Sequence, residues 1–232
     1  MIQVQNYQPV AMLESVSKIY QGQGRETSAL KDISFQAYPG EVILFLGPSG
    51  SGKSTFLTIL AGLQPPTTGE AWLFGQKVIN YSSSELQKVR AARIGFIFQT
   101  FHLLDALNAM ENIMMVMKFT RTKKRDSRLR TVQLMERFGI ANLAKAYPRT
   151  MSQGEKQRVA VARALANNAS LIIADEPTGS LATDQGMNIV KLLRESTKTE
   201  NRCVIIASHD QRIAEYADRV LYLKDGKLSD KN

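Results

Sequence analysis

"GPSGSGKST", Gly47 to Thr55, stands between the apolar run "VILFL" and a helix-periodic run, "FLTILAGL". It fits G-x-x-x-x-G-K-[ST] in the context that pattern requires, a buried strand before it and a helix after it. Gly50 and Gly52 let the backbone curl until its N–H groups face one centre, a cradle for phosphate oxygens. Lys53 can reach the β and γ oxygens of a nucleotide, and the Ser54 hydroxyl is placed to ligate Mg²⁺. Pro48, Ser49, Ser51 and Thr55 complete the loop. The helix that starts there adds its unpaired N–H groups and its dipole. A glycine-rich turn without a ligand is the competing reading, and the full motif in this setting outweighs it.

Working outward, three more apolar strands end in polar groups. "LIIADEP" ends in Asp175 and Glu176, "VIIASHD" in His209 and "GFIFQ" in Gln99. Parallel α/β sheets bind ligands beyond the carboxyl ends of their strands. Asp175 is therefore expected to hold Mg²⁺, and Glu176 to polarise the water that attacks the γ-phosphoryl group. His209 is expected near the γ-phosphate. Gln99, at the junction with a helical region, is expected to touch metal or water. Each of these residues alone would read as a turn, a cap or a structural side chain.

Two short alternating segments, "AMLESVSKIY" and "ETSALKDISFQA", read as antiparallel strands at the N-terminal end. From residue 100 to 158 the pattern is helical, and Leu129, Val132, Met135 and Phe138 are expected to form one buried helix face. Strands and helices then alternate to Leu228, ending in the strand pair "RVLYLKDGKL" with an Asp-Gly turn, which implies a mostly parallel sheet covered on both faces. The expected organisation is one domain over 1–232. Residues 1–99 and 159–232 form the α/β core with an antiparallel β subdomain, and 100–158 form an inserted helical subdomain. A hydrophobic content of 44% supports a sizeable core, and the net charge of +9 points to anionic partners without choosing one. The single cysteine, Cys203, excludes an internal disulfide and sits in an apolar run, so a buried thiol is expected. No leader-like apolar segment opens the chain, and its apolar runs are strand-sized, which leads to an expected intracellular location. "RTKKRDSRLR", Arg121 to Arg130, reads first as a solvated helix face, with anionic headgroups or an acidic partner loop as the alternative.

One further stretch, "TMSQGEKQRVAVARALA" from Thr150 to Ala166, places Ser152 and Glu155 at capping-box spacing before a basic helix. With that segment in place, the order "GPSGSGKST", "GFIFQTFHLL", "MSQGEKQRVAVARAL", "LIIADEPTGSL" and "IIASHD" resembles the nucleotide-binding subunit of ATP-binding cassette (ABC) transporters across essentially the whole chain. "TSALKDISF" and "FHLL…AMENI" resemble the branch serving lipoprotein release, macrolide efflux and glycolipid export, including DevA-like exporters.

The resemblance implies a P-loop NTPase core of RecA-like type, with ATP and Mg²⁺ as cofactors. It makes Tyr20 the aromatic that stacks on adenine, Gly47 to Thr55 the phosphate loop, Gln99 the coupling glutamine, Glu176 the catalytic base and His209 the switch histidine. It implies a head-to-tail homodimer in which Ser152, Gln153, Gly154 and Glu155 approach ATP bound by the other subunit. It also implies a transmembrane permease subunit, with or without a periplasmic adaptor, and a peripheral location on the cytoplasmic face of the plasma membrane. A division-type mechanical role at the cell envelope is the alternative, and no nucleic-acid recognition module is evident. Two positions depart from the family pattern: Gln153 stands where a glycine belongs, and Ala182 stands where an aspartate is usual. Both fall on elements used between subunits, which leads to an expectation of normal nucleotide binding with slow closure or hydrolysis.

Overall fold

The computed structural model describes residues 8–22, 25–179 and 183–229. Ala182 lies outside them. In chain order come β1 (Ala11–Gly22), β2 (Arg25–Ala37), β3 (Val42–Leu46), α1 (Lys53–Leu60), β4 (Thr68–Leu73) and β5 (Gln76–Lys77). They are followed by α2 (Ser83–Arg93), β6 (Ile94–Ile97), α3 (Ala109–Lys118), α4 (Lys124–Arg137) and α5 (Gln153–Ala164). The chain continues with β7 (Leu171–Asp175), α6 (Thr183–Glu200), β8 (Cys203–Ser208), β9 (Arg219–Lys224) and β10 (Lys227–Ser229). Two sheets result. One is antiparallel, ordered β2-β1-β4-β5; the other, ordered β10-β9-β3-β8-β7-β6, is parallel apart from its β10 edge.

Every residue of β3 is buried, and alternation along it divides the core in two. Val42, Leu44 and Leu46 face the layer that holds α3, α4, α5 and α6. Ile43 and Phe45 face α1 and the antiparallel sheet. There Phe45 meets Phe35 and Phe56, with ring centroids 5.2 and 4.4 Å away. The neighbouring β7 and β8 alternate in the same way, which is why their sequences read as unbroken apolar runs. Cys203 lies in this core, fully buried, and burial pushes its thiol pKa upward, so it is an inert packing group.

Helices α2, α3 and α5 start on capping boxes. Ser82 with Glu85 and Ser152 with Glu155 form them as expected, and Asn108 with Glu111 forms a third at the head of α3. Helix α4 departs from the expected face. Its buried stripe runs through Ser127, Thr131, Leu134 and Met135 and continues to Phe138, whereas Leu129 is 60% exposed. The reason is that two hydroxyl residues occupy core positions, Thr131 satisfying its Oγ1 on the Ser127 carbonyl at 2.8 Å. Met135 and Phe138 are buried as the apolar spacing expects and Val132 is half-buried, but that spacing misses the hydroxyl residues and places Leu129 wrongly. Among the described residues, no helix is long and apolar enough to cross a membrane.

Asp218 ties three elements together at the start of β3. Its carboxylate accepts from Val42 N at 2.8 Å and from the Arg194 guanidinium of α6, while its own N–H donates to the Val42 carbonyl. The Arg194 hydrogen bonds hold its pKa below the usual carboxylate value. A depressed native pKa stabilises the fold above the unfolded value, and that contribution is lost as pH falls through the native pKa. Asp218→Asn should cost about 1–2 kcal/mol at neutral pH. Melting curves of the two proteins across pH should converge as the pH drops below about 4. A constant gap down to the lowest pH would exclude this role.

Candidate functional site

The loop after β3 owes its path to steric necessity at three glycines. A Cβ on Gly47 would lie 2.2 Å from the Leu223 carbonyl oxygen of β9, and one on Gly52 2.4 Å from that of Ala29 in β2. Gly50 has open space around it but a φ of +79°, which an L side chain disfavours. Lys53 is buried, and its Nζ donates to the carbonyls of Gly47 and Pro48 at 2.7 and 3.0 Å. The loop thus folds round its own lysine, with Ser54 and Thr55 at the head of α1.

A cleft of about 560 Å³ opens on this loop. Ser49, Gly50, Gly52, Lys53, Ser54 and Thr55 form one wall, and Tyr20, Gln99, Asp175 and Glu176 also line it. Gly47, Pro48 and Ser51 build the loop without lining the cleft. Tyr20 is 41% exposed, with Lys18 Nζ over its ring at 5.3 Å from the centroid, and its hydroxyl donates to Gln64 Oε1 at 2.9 Å. Asp175 ends β7 with its pKa raised by burial and by the neighbouring Glu176 charge; a hydrogen bond to Ser54 and the Lys53 charge oppose this. The register of β7 against β8 places Asp175 opposite Ala207. Glu176 is consequently held beside the end of β8. Its φ is +48°, its N–H donates to the Ala207 carbonyl, and its Oε2 accepts from Ser208 Oγ at 3.0 Å. His209 Nδ1 lies 3.1 Å from Glu176 Oε1 and 3.0 Å from Oε2. His209 thus reaches the site through Glu176 rather than by lining the cleft.

Ser152, Gln153, Gly154 and Glu155 are not among the residues lining the cleft. Ser152 Oγ and N each donate to Glu155 Oε2 at 2.8 Å, and these bonds lower the Glu155 pKa. Gln153 is the exposed first residue of α5.

Several contributors escape a reading by motif. Ser208 is one; its signal is only its place beside His209. Lys31, Asp225 and Gly226 line the cleft from β2 and the β9–β10 turn, and Gly226 N donates to the Ser51 carbonyl at 3.2 Å. Arg163 is another. Buried in α5, it donates from Nη2 and Nη1 to the carbonyls of Phe101 and His102, both at 2.6 Å. Those two residues follow Gln99 closely and have φ values of +62° and +47°. One helix therefore begins at Ser152 and, near its far end, clamps the turn after Gln99. Beside this clamp lies a second hollow of about 290 Å³, largely apolar, lined by Leu63, Phe96, Phe98, His102, Met115 and Val116 among others. Phe98 stacks on both Phe96 and His102, with centroids 4.2 and 4.4 Å away.

The sequence model described as "ABC transporter" matches residues 30–179. The macrolide export ATP-binding/permease protein MacB of Agrobacterium fabrum is 38% identical over 221 residues, which are 95% of this chain and 34% of that protein. The chain thus spans about a third of MacB's length. HrtA of Staphylococcus haemolyticus, which carries a hemin-import name, is 39% identical over 218 residues, 93% of this chain and 97% of its own. An ATP-binding cassette solved as a dimer in a post-hydrolysis state, bound to ADP and Pi, superposes with a TM-score of 0.89. It shares 35% identity and is matched over 94% of this chain and 97% of its own. The chain belongs to the ABC transporter family, as an ATP-binding subunit.

Proposed function

We propose that the cleft binds ATP with Mg²⁺ and hydrolyses it, and that the chain energises a membrane export complex by ATP-driven, head-to-tail dimerisation. The observation that carries this reading is the meeting of three independent strand ends on one loop. The glycine loop ends β3, Asp175 ends β7 beside Ser54, and Glu176 is held by Ser208 and His209 from β8. Hydroxyl, carboxylate and amide oxygens from Ser54, Asp175 and Gln99 suit a hard cation, so the residues fit Mg²⁺. When bound, the ion would neutralise charge on the β and γ phosphate oxygens. Lys53 would exchange its loop carbonyls for those oxygens, and Tyr20 would present its exposed ring to the adenine. Glu176 would accept a proton from the attacking water. Ser208 and His209 fix its carboxylate in place, and its left-handed backbone stores about 1–3 kcal/mol of strain that such contacts offset.

The second subunit would bring Ser152, Gln153, Gly154 and Glu155 to the γ-phosphate side, consistent with the exposure of Ser152 and Gln153 and with all four lying outside the cleft of their own chain. The family's solved dimer supports the association. The apolar hollow beside Gln99 would receive a segment of the transmembrane permease, with a periplasmic adaptor where one exists, and would place the chain on the cytoplasmic face of the membrane. Drug-class cargo follows the MacB likeness, lipid, glycolipid or lipoprotein cargo follows the resemblance of "TSALKDISF" and "FHLL…AMENI", and the hemin-import name of HrtA shows how widely cargo names vary among relatives of similar identity. A division-type mechanical role would use the same cleft. Isolation of the membrane partner separates the two.

Glu176→Gln should reduce ATP turnover by about 10²–10⁴-fold while ATP still raises the melting temperature. With ATP, size-exclusion chromatography should capture this variant as a dimer; wild-type turnover, or dimers without nucleotide, would overturn the assignment. Gln153→Gly should raise turnover of the isolated chain several-fold, because glycine removes bulk at the approach to the facing nucleotide. Steady-state rates of Gln153→Gly and Ala182→Asp beside wild type decide the matter, and unchanged rates in both would exclude slow closure at these positions.

A further inference from the structure

Between Lys118 and Arg130 the chain carries seven cations and one carboxylate, Asp126. Residues 121–126 and Arg128 are exposed. Among the described residues, Lys118, Arg121, Lys123, Lys124 and Arg128 make no salt bridge; Arg125 approaches Asp126 at 3.5 Å with its side chain 96% exposed, a pair that screening leaves weak. Arg130 alone turns inward, donating to the Leu165 carbonyl and Asn168 Oδ1. Two apolar side chains stand out within the same stretch, Phe119 at 56% exposure and Leu129 at 60%. An exposed leucine by itself is ordinary. An exposed leucine and phenylalanine within a group of unpaired cations match what a bilayer interface offers: anionic headgroups and a shallow apolar layer.

Position supports the same partner. Asn167 donates through Nδ2 to the carbonyls of Ala91 and Val116, which line the apolar hollow, and accepts from Thr120 in the turn that starts the basic stretch. Asn167 therefore holds the start of the basic segment next to the hollow. We propose that the α3–α4 turn and the outer face of α4 form a docking surface for an anionic lipid bilayer. The positional argument rests on the reading that the hollow receives the permease; the charge argument does not. An acidic protein loop would meet the cations but makes no particular use of Phe119 and Leu129.

The test uses the full chain, without permease or nucleotide, in flotation with two vesicle types. One is phosphatidylcholine alone; the other is phosphatidylcholine mixed equally with phosphatidylglycerol. Binding is expected to the mixed vesicles only and to fall as salt rises. Replacing Lys123, Lys124, Arg125 and Arg128 by serine should weaken binding at least about tenfold. Replacing the exposed Lys191, Lys198, Lys224 and Lys227 by serine removes equal charge elsewhere and should change it less than about twofold. Leu129→Ser should weaken binding most clearly at high salt, where apolar insertion carries more of the affinity. Equal loss in both quadruple variants would reduce the effect to net charge and overturn the proposal, as would absence of binding to the mixed vesicles. Retention by polyglutamate without vesicle binding would overturn it in favour of an acidic protein partner. ATP turnover should be unchanged in all three variants, so failure of vesicle binding and failure of the ATPase reading are separable.

Discussion

The loop from Gly47 to Lys53 is held by contact with backbone on two sides, and the rest of the site depends on that confinement. The Leu223 carbonyl of β9 presses on Gly47, and the Ala29 carbonyl of β2 presses on Gly52. No side chain fits at either place. The parallel sheet and the antiparallel sheet thus meet at the loop itself, and the Lys53 ammonium is enclosed by the curl they enforce. A domain built from either sheet alone would leave one wall of the loop open. The β9–β10 turn closes it further, since Gly226 bonds to Ser51 and accepts from Lys31 N.

Around that loop the strand ends supply chemistry in layers of increasing constraint. Asp175 is set by burial, which opposes its charge, and by Ser54 and Lys53, which favour it. Glu176 is set by geometry: a left-handed backbone turns its side chain toward β8, where Ser208 and His209 hold it. Gln99 is set from outside the sheet, because the turn after it depends on Arg163. A buried guanidinium that spends two short hydrogen bonds on carbonyls of strained residues fixes the relation between α5 and the β6 end. Whatever moves α5 as a rigid rod must also move that turn.

Much of this was legible in the residue order. The glycine loop between an apolar run and a helical run, and the acids closing "LIIAD", are local patterns with few physical solutions. The Ser82 and Ser152 capping boxes were legible for the same reason, since a cap needs only residues three positions apart. Helix α4 shows where the reading fails. Its core stripe contains Ser127 and Thr131, whose burial depends on the Thr131 hydroxyl finding a carbonyl within the helix, and Leu129 was left outside. Likewise Ser208, Arg163 and Gly226 lie in stretches that read as a strand end, a basic helix and an Asp-Gly turn, with nothing local to show what each one touches.

The glycine loop, the strand-end carboxylates, the α/β alternation and the family resemblance can be read from residue order, because each is a short-range pattern under a steric or electrostatic requirement. Which residues meet across the chain is set by the folded arrangement. The β7–β8 register joins Glu176 to Ser208 and His209, Arg163 reaches back across some sixty residues to the turn after Gln99, and the first residues of α5 stay outside their own cleft. Those meetings follow from sheet pairing and helix packing, which depend on the whole chain at once.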